Sequence, residues 1–322
     1  MKHLLKLSLV FIVFFSCSKE EEISINGVLD FSNDTITFDT VFASIGSITK
    51  TLTIYNNNEE DIYSNISIRG NSAANFRMNI DGVSGNSQNN VFIPKNDSIF
   101  IFIEVTVDPS SNTTPYILSD SLLFETGSNL QSVKLVAWGQ DAHFYTPNTF
   151  GEIINGNDTT KVFYHQISSN QTWSNEKPHV IYGYVIIDPN ATLNISEGTN
   201  VYFHKNSGIL VGNPFSNQLG GTLKVNGNYE NEVTFQGDRL DSWYEDIPGQ
   251  WDRIRFLPGS FDNEINYAII KNGTTGIHAD TVFNSNPTVT INNTVIKNMS
   301  SIGILGQGAK IEASNTVVSE CG

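Results

Sequence analysis

The sequence predicts an all-β protein in two parts: a β-sandwich over 25–142, then a parallel β-helix solenoid over 177–322, with 143–176 as linker and capping coil. Three observations lead there. The segment 263–321 repeats itself, since INYAIIKN at 265–272, INNTVIKN at 291–298 and EASNTVVSE at 312–320 are copies of one strand-and-corner unit. Ile270, Ile296 and Val318 superpose at steps of 26 and 22 residues, within the range of solenoid repeats. The units are rich in β-branched residues and asparagine and lack helical periodicity, which selects strands as the repeating element. Upstream, short alternating strands are broken by Asn, Gly, Ser and Asp clusters, the pattern of a sandwich.

The chain opens with an address. Lys2 and Lys6 form a short basic start, 7–15 is an apolar run too brief to span a bilayer, and Ser16-Cys17 follows at cleavage distance. The segment resembles a bacterial lipoprotein signal, which implies removal of 1–16 and acylation of Cys17. Each buried methylene contributes about 0.8 kcal/mol, so two or three acyl chains anchor a protein without a spanning helix. Residues 17–24 read as an acidic tether. Its SKEEE run at 18–22 is similar to the signal that directs lipoproteins of Bacteroidota to the outer face of the outer membrane. A solvated tether accounts for the same charges.

In the sandwich region, TLTIY at 51–55 alternates and stops at three asparagines, 99–107 is a long β-rich run, and strands at 121–124 and 132–136 flank a TGSN turn. No segment reads as a helix. The order of features resembles immunoglobulin-like modules of the abnormal-spindle and choice-of-anchor D type, through SITKTLTIYN at 47–56, FRMN at 76–79, Ile93-Pro94, VDP at 107–109 and VKLVAWG at 133–139. Those modules are spacers and interaction platforms, which implies a stalk.

In the solenoid, strands stacked about 4.8 Å apart place equivalent side chains over one another. Ile265 over Ile291, and Ile270 over Ile296 over Val318, should form aliphatic columns. Asn272 over Asn298 should form an amide ladder that Glu320 interrupts. The strands from Ile187 onward resemble pectate-lyase-like proteins in pattern, which implies a right-handed β-helix. The pattern stops at Cys321-Gly322 in mid-repeat, so we expect either a fragment of a longer protein or an end that docks on another subunit.

Composition narrows the function. Asp+Glu 33 against Lys+Arg 18 gives a formal net charge of −15, which argues against nucleic acid as a partner. It also argues against a polyanion unless a cation mediates. Cys17 and Cys321 supply no disulfide framework once Cys17 is acylated. His143, His165, His179, His204 and His278 lack zinc-type spacing, and His204 reads as a coil corner.

The candidate site is the insertion between the strands VTF at 233–235 and IRF at 254–256. Loops on rigid scaffolds are where binding residues collect. Asp238, Asp241, Glu245, Asp246 and Asp252 could supply oxygen ligands to Ca²⁺, the one cofactor the sequence suggests, and Trp243, Tyr244 and Trp251 offer flat faces for sugars. Alternatively the acids cap turns and the tryptophans pack the loop onto the wall. In pectate lyases an Arg or Lys is the base; Arg239, Arg253 and Arg255 are present, but flanking carboxylates hold an Arg protonated.

The expected function is a non-catalytic, cell-surface outer-membrane lipoprotein presenting a β-helix to polysaccharide or to a surface protein. The alternatives are a polysaccharide lyase or glycoside hydrolase, and a structural subunit of a surface assembly.

Overall fold

The structure, a computed structural model, describes residues 23–24, 26–42, 47, 49–107, 116–156, 158–240, 242–281, 283 and 285–322. Cys17 and Asp241 lie outside the described residues. The protein is all-β. Among the described residues the only helical pieces are the 3₁₀ turns Ala73–Asn75 and Ser242–Tyr244, and no helix is long and apolar enough to cross a membrane. Two compact units divide the chain: 1–36, 49–104 and 119–136 form the first, and 37–48, 105–118 and 137–322 the second.

Two sheets hold the strands that lie wholly or partly in the first unit. One runs in the order Ile23–Ser24, Asp61–Arg69, Tyr116–Thr126, Asn129–Gln140, Thr35–Phe42, with Ser87–Ile93 also on Asp61–Arg69. The other runs Asp30–Phe31, Lys50–Asn56, Asp97–Val105, Phe76–Ile80, Val83–Gly85. Period-two alternation turns Leu52, Ile54, Ile101 and Ile103 inward, all with no exposed surface. Phe31 of one sheet meets Phe124 of the other at 4.6 Å between ring centroids, so the inner faces share a core. The run of asparagines after Tyr55 ends a strand for a physical reason. Asn56, fully buried, donates to the carbonyls of Glu60 and Ile93 at 2.9 and 3.0 Å and accepts from the Asn58 amide, replacing ladder bonds with side-chain ones.

In the second unit the chain visits three parallel sheets in rotation. Sheet I holds His143–Tyr145, His179–Ile181, Asn200–Phe203, Val233–Gly237, Ala268–Lys271, Val295–Met299 and Val317–Cys321. Sheet II holds Thr149–Asn155, Asp158–Ile167, Tyr184–Ile187, Gly208–Val211, Ile254–Phe256, Thr275–Asp280 and Ile302–Gln307. Sheet III holds Gln171–Trp173, Thr192–Ser196, Thr222–Asn226, Asn263–Asn266, Val289–Asn292 and Ile311–Ser314. The one antiparallel pairing among these is the hairpin of Thr149–Asn155 with Asp158–Ile167. One strand from each sheet makes a round, and each round pairs with the next in register.

That register carries the repeat. Ile265 pairs with Ile291, Ile270 with Ile296, and Ile296 with Val318. With Val225, Phe235, Phe256 and Ile277 the four isoleucines form one continuous apolar interior, whereas Val318, on the last strand of its sheet, keeps the register but is 47% exposed rather than part of the expected inner column. The corners are built by asparagine. Asn272, Asn298 and Glu320 occupy one corner with φ of 66°, 57° and 53°, a left-handed backbone that asparagine tolerates better than most residues. Asn298 Nδ2 donates to Asn272 Oδ1 at 2.7 Å. A second ladder stands at the corner between sheets III and I, where Asn315 donates to Asn293 at 2.7 Å and Asn293 to Asn266 at 3.0 Å.

Removing one rung tests the ladder. Asn298→Ala is expected to lower stability by about 2 kcal/mol, from the lost amide bond and the left-handed alanine together. Asn298→Gly, which relieves the backbone cost, should lose about half of that. Urea denaturation of both variants distinguishes this from an exposed corner, where both would match the parent.

Candidate functional site

The insertion after Val233–Gly237 is tied to the wall at both ends. Asp238 N donates to Phe203 O at 2.9 Å, and the Asp238 carboxylate holds His204 Nδ1 at 2.8 Å. At the far end Gln250 N donates to Asn272 O at 2.8 Å, and Gln250 Nε2 closes the loop on the carbonyls of Tyr244 and Ile247. The amide ladder reaches into it as well, because Asn272 Nδ2 donates to Glu245 O at 2.8 Å.

This geometry separates the residues that the sequence grouped. Trp243 is 77% exposed at the tip, and Tyr244 lies under the Arg239 guanidinium at 4.0 Å. Glu245 and Asp246 are exposed. Trp251 is 1% exposed: its ring stacks on Phe203 at 4.3 Å and its Nε1 donates to Lys271 O at 2.8 Å. It therefore offers no face to a ligand, because the chain has already rejoined the wall and the indole fills the corner between rounds. Asp252 is turned to Tyr184 and Arg253. Among the described residues no three His, Cys, Asp or Glu side chains are placed to hold a metal ion.

What the loop borders is more informative. The longest connection from sheet I to sheet II joins residues 237 and 254, and the longest from sheet II to sheet III join 211 to 222 and 280 to 289, so the outer face of sheet II lies between the long connections at its two corners. The outer face of sheet II is thus the floor between two rims. Ile254, Phe256, Ile277 and Ala279 point into the core, so alternation turns Arg255, His278 and Asp280 to the outer side, where Arg255 is partly exposed and His278 and Asp280 are buried within the polar network.

There they form one network. Arg253 grips Asp252 through Nε and Nη2 at 3.0 and 2.9 Å, and Tyr184 OH donates to the same carboxylate. Arg253 Nη1 donates to His278 Nδ1 at 3.2 Å, which places the imidazole proton on Nε2, facing Gln307 Oε1 at 2.9 Å and Asp280 Oδ1 at 3.3 Å. Arg255 Nε completes the set on Asp280 at 2.8 Å. Its electrostatics favour binding over proton transfer. The hydrogen bond to Asp252 raises Arg253 above its ordinary pKa despite burial, the wrong direction for a base. Burial first, and Asp252 second, push the Tyr184 phenol up.

His278, Asp280 and Tyr184 were not singled out by the sequence. Their signal is weak there: Arg255 and His278 are paired by register, 23 residues apart, with nothing local to mark them. A second imidazole, His204, belongs to a strand-end cluster in which Tyr182 stacks on its ring at 4.5 Å; the Asp238 hydrogen bond raises its pKa.

No family model matches the sequence, and no curated protein matches it. Solved structures similar to part of the chain include a PapD-like domain of human CEP192, at 12% identity and TM-score 0.26 over 44% of this chain and 100% of that one. A protein of unknown function from Porphyromonas gingivalis is 11% identical, with TM-score 0.25 over 45% of this chain and 58% of its own. A family 123 glycoside hydrolase from Clostridium perfringens is 10% identical, with TM-score 0.28 over 43% of this chain and 26% of its own.

Proposed function

We propose that the chain is a lipoprotein anchored through Cys17 at the outer-membrane surface. In this reading its first unit is an immunoglobulin-like spacer and its second a right-handed parallel β-helix of the pectate-lyase-like type, which holds polysaccharide without cleaving it. The observation that carries the reading is the outer face of sheet II, a floor of hydrogen-bonding side chains between two rims of long turns. Rigid sheets that present polar groups between loops suit an extended polar ligand. Asp252, Arg253, Arg255, His278 and Asp280 are all paired with one another, which favours retention over turnover. The exposed Trp243 on the rim adds a ring for stacking on a sugar.

Cells carrying the wild-type chain should capture fluorescent polysaccharides from solution, with or without Ca²⁺, and release no shortened products on long incubation. Cells carrying Cys17→Ser should capture none, while the chain they shed binds the same polysaccharides. Absence of capture by the wild type overturns the binding reading. Product release would support a polysaccharide lyase or hydrolase, and capture only with Ca²⁺ would place a cation in the site.

A further inference from the structure

At the start of sheet II the same floor deepens into a groove of about 720 Å³, lined by Phe150, Gly151, Glu152, Tyr164, Gln166, Asp188 and the turn 213–216. We propose that this groove is a subsite for one or two rings of a neutral hexose polymer; the proposal rests on the polysaccharide-binding reading above and deepens it.

The groove is a built one. Its outer wall, the turn 213–216, is seated by Phe215, whose ring stacks on Tyr164 at 5.5 Å with planes 16° apart. That ring lies where a side chain at Gly151 would be: a Cβ there would sit 2.2 Å from it. Asn213 Oδ1 accepts the Phe215 amide at 2.9 Å and stiffens the turn.

At the centre stands Asp188. Gln166 Nε2 donates to one of its oxygens at 2.6 Å and Asn213 Nδ2 to the other at 2.7 Å. A carboxylate accepts about four hydrogen bonds and Gln166 keeps a second N–H, while the second N–H of Asn213 reaches Tyr164 OH at 3.4 Å, so the triad offers acceptors beside a donor. Vicinal hydroxyls, each both donor and acceptor, match such an array. Phe150, 43% exposed, carries the Lys161 ammonium over its ring at 4.3 Å and supplies its remaining apolar surface for the C–H side of a sugar ring.

Charge selects the class of sugar. The lining contains two carboxylates, Asp188 and Glu152, and no Lys or Arg. A uronate would meet two like charges against the single cation at the border, Lys161, whose Nζ lies 4.3 Å from the Phe150 ring centroid and whose strand position pairs with Glu152, whereas a neutral hexose meets only acceptors and donors. The net charge of −15 acts in the same direction.

The test is calorimetric titration of the purified full-length chain with gluco-, manno- and galacto-configured tetrasaccharides and with tetragalacturonate. At least one neutral tetrasaccharide should bind, and the uronate at least tenfold more weakly. Asp188→Asn should weaken the neutral ligand at least tenfold, because the new amide turns a donor toward Gln166 or Asn213. Ser216→Trp, which fills the groove from its wall, should do the same, with circular dichroism confirming the fold of both. If both groove variants bind the neutral tetrasaccharide like the wild type, or the uronate binds better, the subsite is overturned while the binding face stands. If the wild type binds no saccharide, long or short, both proposals fail.

Discussion

Replacing Trp251 by alanine is expected to destabilise the second unit by about 3–5 kcal/mol, whereas Trp243→Ala, eight positions earlier in the same insertion, should change stability by less than about 0.5 kcal/mol. The contrast follows from burial: 1% exposure against 77%. The Trp251 indole is stacked on Phe203 with planes 10° apart, and Gly273 on the next round is bare where the ring lies, since a Cβ there would be 2.9 Å from Cε2. Truncation opens a cavity that the stacked rounds cannot collapse to fill, and it orphans the Lys271 carbonyl that Nε1 satisfies. Urea denaturation followed by far-ultraviolet circular dichroism measures both variants. Equal, small effects would mean that the loop end is not part of the core.

Acid should weaken the first rounds of the second unit through His179. This imidazole is 3% exposed, stacked on Trp173 at 4.7 Å, with Nδ1 accepting from Tyr145 OH at 2.8 Å and Nε2 donating to Ser174 O at 3.0 Å. Burial lowers its pKa to about 4, opposed by the Ser174 hydrogen bond, with His143 adding repulsion. Unfolded, the ring titrates near 6.5. As pH falls through that value the unfolded chain takes up a proton that the folded chain refuses, so stability is lost progressively until the folded ring titrates near 4. The loss over that window is roughly 3 kcal/mol. His179→Gln retains a donor and an acceptor without titrating. Its stability should be lower than the parent's at pH 8 and should fall less between pH 6.5 and 4; parallel curves would exclude His179 as the source.

The repeat was readable because stacking imposes it. In a rotation of parallel strands, equivalent residues of successive rounds face the same surroundings, so the column Ile270, Ile296, Val318 and the corner Asn272, Asn298 are written directly into the residue order. The second ladder, Asn266, Asn293, Asn315, is less plainly written, because Asn293 and Asn315 hold equivalent positions while Asn266 stands one residue out of step and pairs in register with Asn292. Strands of the first unit were legible for a similar reason, since Leu52, Ile54, Ile101 and Ile103 obey period two.

The insertion obeys no period, and there residue type was the only guide. Trp243 and Trp251 are the same residue in the same turn, and only the return path of the chain decides which is solvent and which is core. Distance along the chain hid the rest. Arg253, Arg255, His278, Asp280 and Gln307 come from three successive rounds and meet only because register pairs them. Asp188 gains Gln166 and Asn213 in the same way, from the rounds on either side. A local rule such as alternation or a corner asparagine is dictated by neighbours in sequence and can be read there. A site assembled across rounds depends on the length of every intervening turn, and those lengths take meaning only once the rounds are stacked.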